Sequence, residues 1–146
     1  MTATYLFDID GTLADPTHRL HHIEKHPRDW DAFFADCGDD VPIPHICELA
    51  RTLNDADHTI VLVSGRSNQC RTATEAWRRL QGLDGLPLYM RRAGDHRPDD
   101  EIKGELLDLI VADGFQPTMV FEDRSRVVAM WRRRGIPCAQ VAEGDF

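Results

Sequence analysis

Three features of this sequence predict a three-layer α/β fold around a central, five-stranded parallel sheet. Short runs of strand-forming residues alternate with stretches of helical periodicity along the chain. The clearest run, His58-Thr59-Ile60-Val61-Leu62-Val63, is continuously apolar at its end, as in a strand covered on both faces. Three of the runs end in polar clusters, and ligand crevices of open α/β sheets lie at the carboxyl ends of strands. Strands that alternate with helices imply parallel pairing through right-handed crossovers.

The first strand lies in Tyr5-Leu6-Phe7-Asp8-Ile9-Asp10-Gly11-Thr12. Leu6, Phe7 and Ile9 favour extended backbone. As a strand, the run alternates, so Asp8 and Asp10 point to one side of it. Gly11 supplies a sharp turn just after them. Two like charges so close are costly unless a cation lies between them, and oxygen ligands suit a hard metal. A bare DxD also fits an acidic β-turn; the whole DIDGT behind an apolar run favours a site.

Residues 14–41 are polar and irregular, too long for a bare loop in a compact domain. Trp30, Phe33 and Phe34 give them an apolar face on a short helix from Asp29 to Asp36. This predicts a small cap over the acidic turn, inserted after the first strand of a single domain spanning 1–146. Trp30 would either stack on a base or pack the lid. His18, His22 and His26 recur every four residues, a spacing compatible with a transition-metal site; Pro27 favours a solvated cap surface instead.

Pro44 opens the next helix, whose Ile46, Leu49, Ala50 and Leu53 share a face. The strand at 58–63 ends in Ser64-Gly65-Arg66. A helix over Asn68–Gln81 would bury Ala73, Ala76, Trp77 and Leu80 and stop at Gly82. Leu86-Pro87-Leu88-Tyr89-Met90 reads as an edge strand, where proline is tolerated. Arg91, Arg92 and Arg97 belong to a basic loop expected to open on the active edge. Asp99 caps a helix through Ala112 with Ile102, Leu106, Leu109 and Ile110 inward. Thr118–Phe121 is a buried strand ending in Glu122-Asp123. A helix from Ser125 to Arg134 carries Trp131 inward, and its Arg132-Arg133-Arg134 run reads either as a nucleic-acid backbone contact or, the favoured reading, as a solvated end suited to the helix dipole. Ile136–Val141 is the last strand.

Composition narrows the function. The 146 residues carry a net charge of −8, which argues against a broad, nonspecific phosphate-binding surface. The four cysteines form no CxxC pair and read as reduced thiols of a cytoplasmic protein. No apolar run approaches membrane-spanning length, and no secretion signal is visible. Lys25 and Lys103 are the only lysines, against fifteen arginines. A lysine in such a chain marks a need for a compact ammonium, or a plain helix surface.

Asp8/Asp10, Ser64/Arg66, Lys103 and Glu122/Asp123 converge at one sheet edge if the strands are parallel. This set resembles the four motifs of the haloacid dehalogenase superfamily of phosphatases, which implies a Rossmann-like core with an inserted cap. The stretches Gly94–Lys103, Glu122–Arg132 and Gln140–Phe146 are similar to the 3′-phosphatase domains of phage polynucleotide kinase/phosphatases. The resemblance implies Mg²⁺-dependent removal of a 3′-phosphate from nucleic-acid ends. It implies Asp8 as nucleophile, Asp10 as general acid and base with a raised pKa, and Lys103 as the neutralising cation. Asp8, the Asp10 carbonyl and Asp123 would hold metal, with Glu122 reaching it through water. Thr12, Ser64, Gly65 and Arg66 would surround phosphate; Arg19 and Asp99 join the set by position. Glu122 departs from the usual aspartate. No GxxxxGK[ST] loop occurs, so this chain does not phosphorylate through such a loop; a separate kinase or ligase is among the partners the resemblance implies. A nucleotidase of the same chemistry, and a noncatalytic phosphate-binding module, remain the competing readings. Oligomeric state, homo-oligomer included, is left open.

Overall fold

A computed structural model describes residues 2–146. Five parallel strands form the central sheet: β1 (Thr4–Phe7), β4 (Thr59–Ser67), β5 (Leu88–Arg91), β6 (Met119–Glu122) and β7 (Cys138–Gln140), in the order β5-β4-β1-β6-β7. β1 is central, pairing Phe7 with Leu62 of β4 and with Phe121 of β6. The Asp8 amide extends this ladder, donating to the Phe121 carbonyl at 3.0 Å. Two short strands, β2 (Ala14–Asp15) and β3 (Val41–Pro42), pair antiparallel and flank the segment that carries α1 (His21–Glu24) and α2 (Trp30–Ala35).

The sheet's alternation sorts its side chains into two cores. Phe7, Ile60, Leu62, Leu88 and Met90 pack with Ile46, Cys47, Ala50 and Trp77 from α3 (Pro44–Asp55) and α4 (Arg71–Leu80). Leu6, Val61, Val63 and Val120 pack on the opposite face with residues of α5 (Asp99–Ala112) and α6 (Ser125–Arg133), Trp131 among them. Burial on both faces is the reason these strands lack polar alternation. Among the described residues, no helix is long and apolar enough to cross a membrane.

The departures from the sequence reading have physical causes. β4 runs through Ser64-Gly65-Arg66 instead of ending before them, with a register shift against β5 between Ser64 and Ser67. In α4, Leu80 is 81% exposed and Ala76 also faces outward. Thr74 and Arg78 are buried instead, because Thr74 accepts from Arg66 Nη1 at 3.0 Å and Arg78 reaches the Leu83 and Leu86 carbonyls. In α5, Leu107 faces the core and Leu109 does not. A periodicity search counts only apolar residues, so a face whose buried members are polar is misplaced.

Candidate active site

The turn after β1 is built by backbone bonds. The Ile9 carbonyl accepts from Leu13 and Ala14, and the Gly11 amide donates to the Ala14 carbonyl. Gly11 has φ +83°, and a Cβ there would lie 2.1 Å from Asp123 Oδ2. Only glycine allows both the backbone conformation and this approach. Because β1 ends at Phe7, strand alternation does not govern the two aspartates, and their carboxylates enter different networks.

Asp8 is buried within an acidic group. Carboxylate oxygens of Asp8, Glu122 and Asp123 lie within 4.8 Å of one another. The Thr12 hydroxyl sits 3.2 Å from Asp8 Oδ2 and 3.3 Å from Asp123 Oδ1. One ammonium faces the cluster: Lys103 Nζ donates to Asp8 Oδ1 at 2.7 Å and to Glu122 Oε2 at 2.8 Å, with Asp99 Oδ2 at 3.4 Å. Glu122 also accepts the Asp123 and Arg124 amides at Oε1, so its longer side chain anchors Lys103 and the following turn. Burial and then Glu122 push the Asp8 carboxyl well above its ordinary value, while Lys103 works against them. Burial, with a further push from Glu122, lifts Asp123 to about 6. Partnered carboxylates hold Lys103 firmly protonated despite its burial. Three acids against one base leave an oxygen-lined cluster short of positive charge.

Asp10 lies in a second network. Its Oδ1 accepts from Arg19 Nη2 at 2.7 Å and from Arg66 Nε and Nη2 at 3.0 and 2.7 Å. Both arginines are fully buried. Burial raises the Asp10 pKa, but Arg66 and Arg19 outweigh it and the net direction is down. The expectation of a raised value is therefore corrected: the neighbours that matter to Asp10 are cations, Arg19 from nine residues on and Arg66 from the end of β4.

The structure adds Asp40, which the sequence places within the expected cap and marks with no role. Asp40 Oδ1 accepts from Arg19 Nε, and Oδ2 accepts from Arg19 Nη2 and Arg66 Nη2, at 2.7–2.8 Å. His18 Nε2 lies 2.7 Å from Oδ1. Arg19 also rests over the Phe33 ring, 4.2 Å from its centroid. No motif marks Asp40; its one sequence signal is a position just before Val41, where the chain returns to the core.

Ser64 is buried, and its hydroxyl accepts the Arg66 amide at 3.1 Å. A Cβ on Gly65 would lie 2.0 Å from Asp99 Oδ1, so Asp99 lies against the Ser-Gly turn. Asp99 is the first residue of α5 and not its cap; Pro98 occupies that place, and the carboxylate turns to Arg91 at 3.3 Å and to Lys103. The basic loop is mostly tied down: Arg91 donates to the Gly65, Asp95 and Arg97 carbonyls, and Arg97 pairs with Asp95 and Glu105. Among the described residues His18, His22 and His26 form no metal-holding group, since His18 turns to Asp40 and His22 to Asp36.

Comparison with known proteins places this geometry. Residues 2–146 match the family model of the polynucleotide kinase PNKP phosphatase domain. A protein of Autographa californica nuclear polyhedrosis virus, assigned as a bifunctional polynucleotide kinase/RNA ligase, is 32% identical over 133 residues, covering 90% of this chain and 18% of its own. A chain of a solved Pnkp1/Rnl/Hen1 complex superposes with TM-score 0.84 at 28% identity, over all of this chain and 47% of that one. The chain thus spans less than half the length of these two relatives. A class C acid phosphatase from Bacillus anthracis, at 13% identity and TM-score 0.66 over 99% of this chain and 68% of its own, shares the fold. The chain belongs to the polynucleotide kinase phosphatase-domain family and is a phosphatase of the haloacid dehalogenase type.

Proposed function

We propose that this protein is a Mg²⁺-dependent phosphomonoesterase that removes 3′-phosphates from DNA or RNA ends through an aspartyl-phosphate. One observation carries the reading: a buried carboxylate, Asp8, is clamped by Lys103 beside Asp123 and Thr12, two residues before Asp10. Asp8 attacks phosphorus, and the bond to the leaving ribose oxygen breaks as Asp10 protonates that oxygen. Asp10 then accepts a proton from the water that hydrolyses the acyl phosphate. All of its arginine bonds go to Oδ1, which leaves Oδ2 for proton transfer. The arginines favour its anionic form at rest; the substrate's phosphate, arriving as an anion, raises its proton affinity for the acid step. Lys103 holds Asp8 in position, and Ser64 with the neighbouring backbone amides would hold the phosphate oxygens.

The donor set fits a hard divalent ion. Asp8 and Asp123 offer buried carboxylate oxygens whose pKa values are raised by burial and then by Glu122, and a cation relieves both effects. Mg²⁺ held by Asp8, the Asp10 carbonyl and Asp123 would neutralise the repulsion between nucleophile and phosphate. Glu122 fits a supporting role, since both its oxygens accept from protein donors.

The relatives' association with kinase and ligase activities supports a nucleic-acid end as substrate, with a kinase and a ligase acting on the same break. The test is phosphate release from a 3′-phosphorylated oligonucleotide, a 5′-mononucleotide and a small aryl phosphate, with and without Mg²⁺. The oligonucleotide is expected to be the preferred substrate, and Asp8→Asn to abolish turnover with the fold intact. Turnover of the mononucleotide alone would replace this reading with a nucleotidase.

A further inference from the structure

Resting on that reading, we infer that Trp30 is the stacking platform for a nucleobase of the single strand adjoining the 3′-phosphate. Trp30 opens α2 and is 39% exposed, whereas Trp77 and Trp131 are at most 2% exposed. Its ring is backed on one side by aromatic neighbours. Phe34 stacks at 6.1 Å with 27° between planes, and Phe33 meets it edge-on at 5.7 Å. An indole braced in this way presents its free surface at little entropic cost.

Its location ties it to the chemistry. The Phe33 ring that buttresses Trp30 lies under the Arg19 guanidinium, and Arg19 donates to Asp10 Oδ1. Three successive contacts thus connect the indole to the acid/base carboxylate, which puts the ring within the reach of a few nucleotides from a terminal phosphate at Asp8. Two cations lie near the ring: Lys25 and Arg28, exposed in the loop just before Trp30, make no ion pair or side-chain hydrogen bond among the described residues, while of the acids that flank the indole Asp29 caps the Ala32 amide and Asp31 is exposed. Unpaired cations beside an exposed aromatic are the combination that binds single strands, with cations tracking phosphates and the ring taking a base.

A base inside a duplex is stacked on both faces, so the platform selects single-stranded ends or 3′ overhangs over blunt ends. The experiment compares kcat/KM for a 3′-phosphorylated single strand with that for an aryl phosphate, in wild type, Trp30→Ala and Trp30→Phe. Trp30→Ala should lower the oligonucleotide-to-aryl ratio about tenfold, and Trp30→Phe should restore most of it. An abasic site walked through the last three positions should reproduce that loss at one position in wild type and add nothing in Trp30→Ala. An unchanged ratio in Trp30→Ala, or abasic substrates that behave like the parent in wild type, overturns the inference while leaving the phosphatase reading standing. A wild-type protein that ignores oligonucleotides overturns both.

Discussion

Removing the Asp40 carboxylate tests whether the two buried arginines are held as described. Asp40 accepts three of their hydrogen bonds, and its side chain is fully buried, as are those of Arg19 and Arg66. In Asp40→Ala, two guanidinium charges would share one carboxylate oxygen of Asp10. Leaving a buried charge without its partner costs about 3–5 kcal/mol. For a domain of this size that is a fall of about 10–15 °C in melting temperature. The loss should shrink in Asp40→Ala/Arg19→Met, because the second substitution removes one stranded charge. Circular-dichroism melts of the single and double variants read this directly, and phosphatase assays at a temperature where all are folded report the displacement of Asp10. A melting temperature within about 3 °C of wild type for Asp40→Ala, or further loss in the double variant, would refute the reasoning.

Gly11→Ala would force φ +83° on a residue with a Cβ and push that carbon into Asp123. It is expected to raise the Mg²⁺ concentration for half-maximal activity by about 10- to 100-fold, read by metal titration. Lys103→Met strands Asp8 and Glu122 together in a buried site and should cost about 3–5 kcal/mol in urea unfolding, part of it recovered by adding Glu122→Gln. Acid stability carries a sign. Asp10 has its pKa depressed below 3.8 in the folded protein, so it contributes stability that is present above that pH and lost as pH falls through the folded value. Asp10→Asn should therefore flatten the acid limb of stability against pH, measured by denaturation from pH 5 to pH 2.

The parallel sheet, the edge strand (which starts just after Pro87) and the acidic turn were legible because each depends on local rules. Apolar runs name strands, Pro44 opens a helix, and Gly11 marks a turn. Lys103 stood out by composition, and its burial against Asp8 explains why a slim ammonium is there. Faces of α4 and α5 were less legible, since Thr74, Arg78 and Lys103 are buried polar residues whose partners lie elsewhere in the chain. Arg97, in a loop expected to open on the active edge, is an ion-pair partner of Asp95 and Glu105.

By itself, then, the sequence determined the layer architecture and the residues of the acidic cluster, because spacing and hydrophobic pattern are properties of short stretches. Only the tertiary structure decided the electrostatic character of Asp10 and the part played by Asp40. Both depend on Arg19 and Arg66, which converge on one point from opposite ends of the first half of the chain. A pKa follows from charges a few ångströms away in space, and no local pattern encodes which distant charges those are.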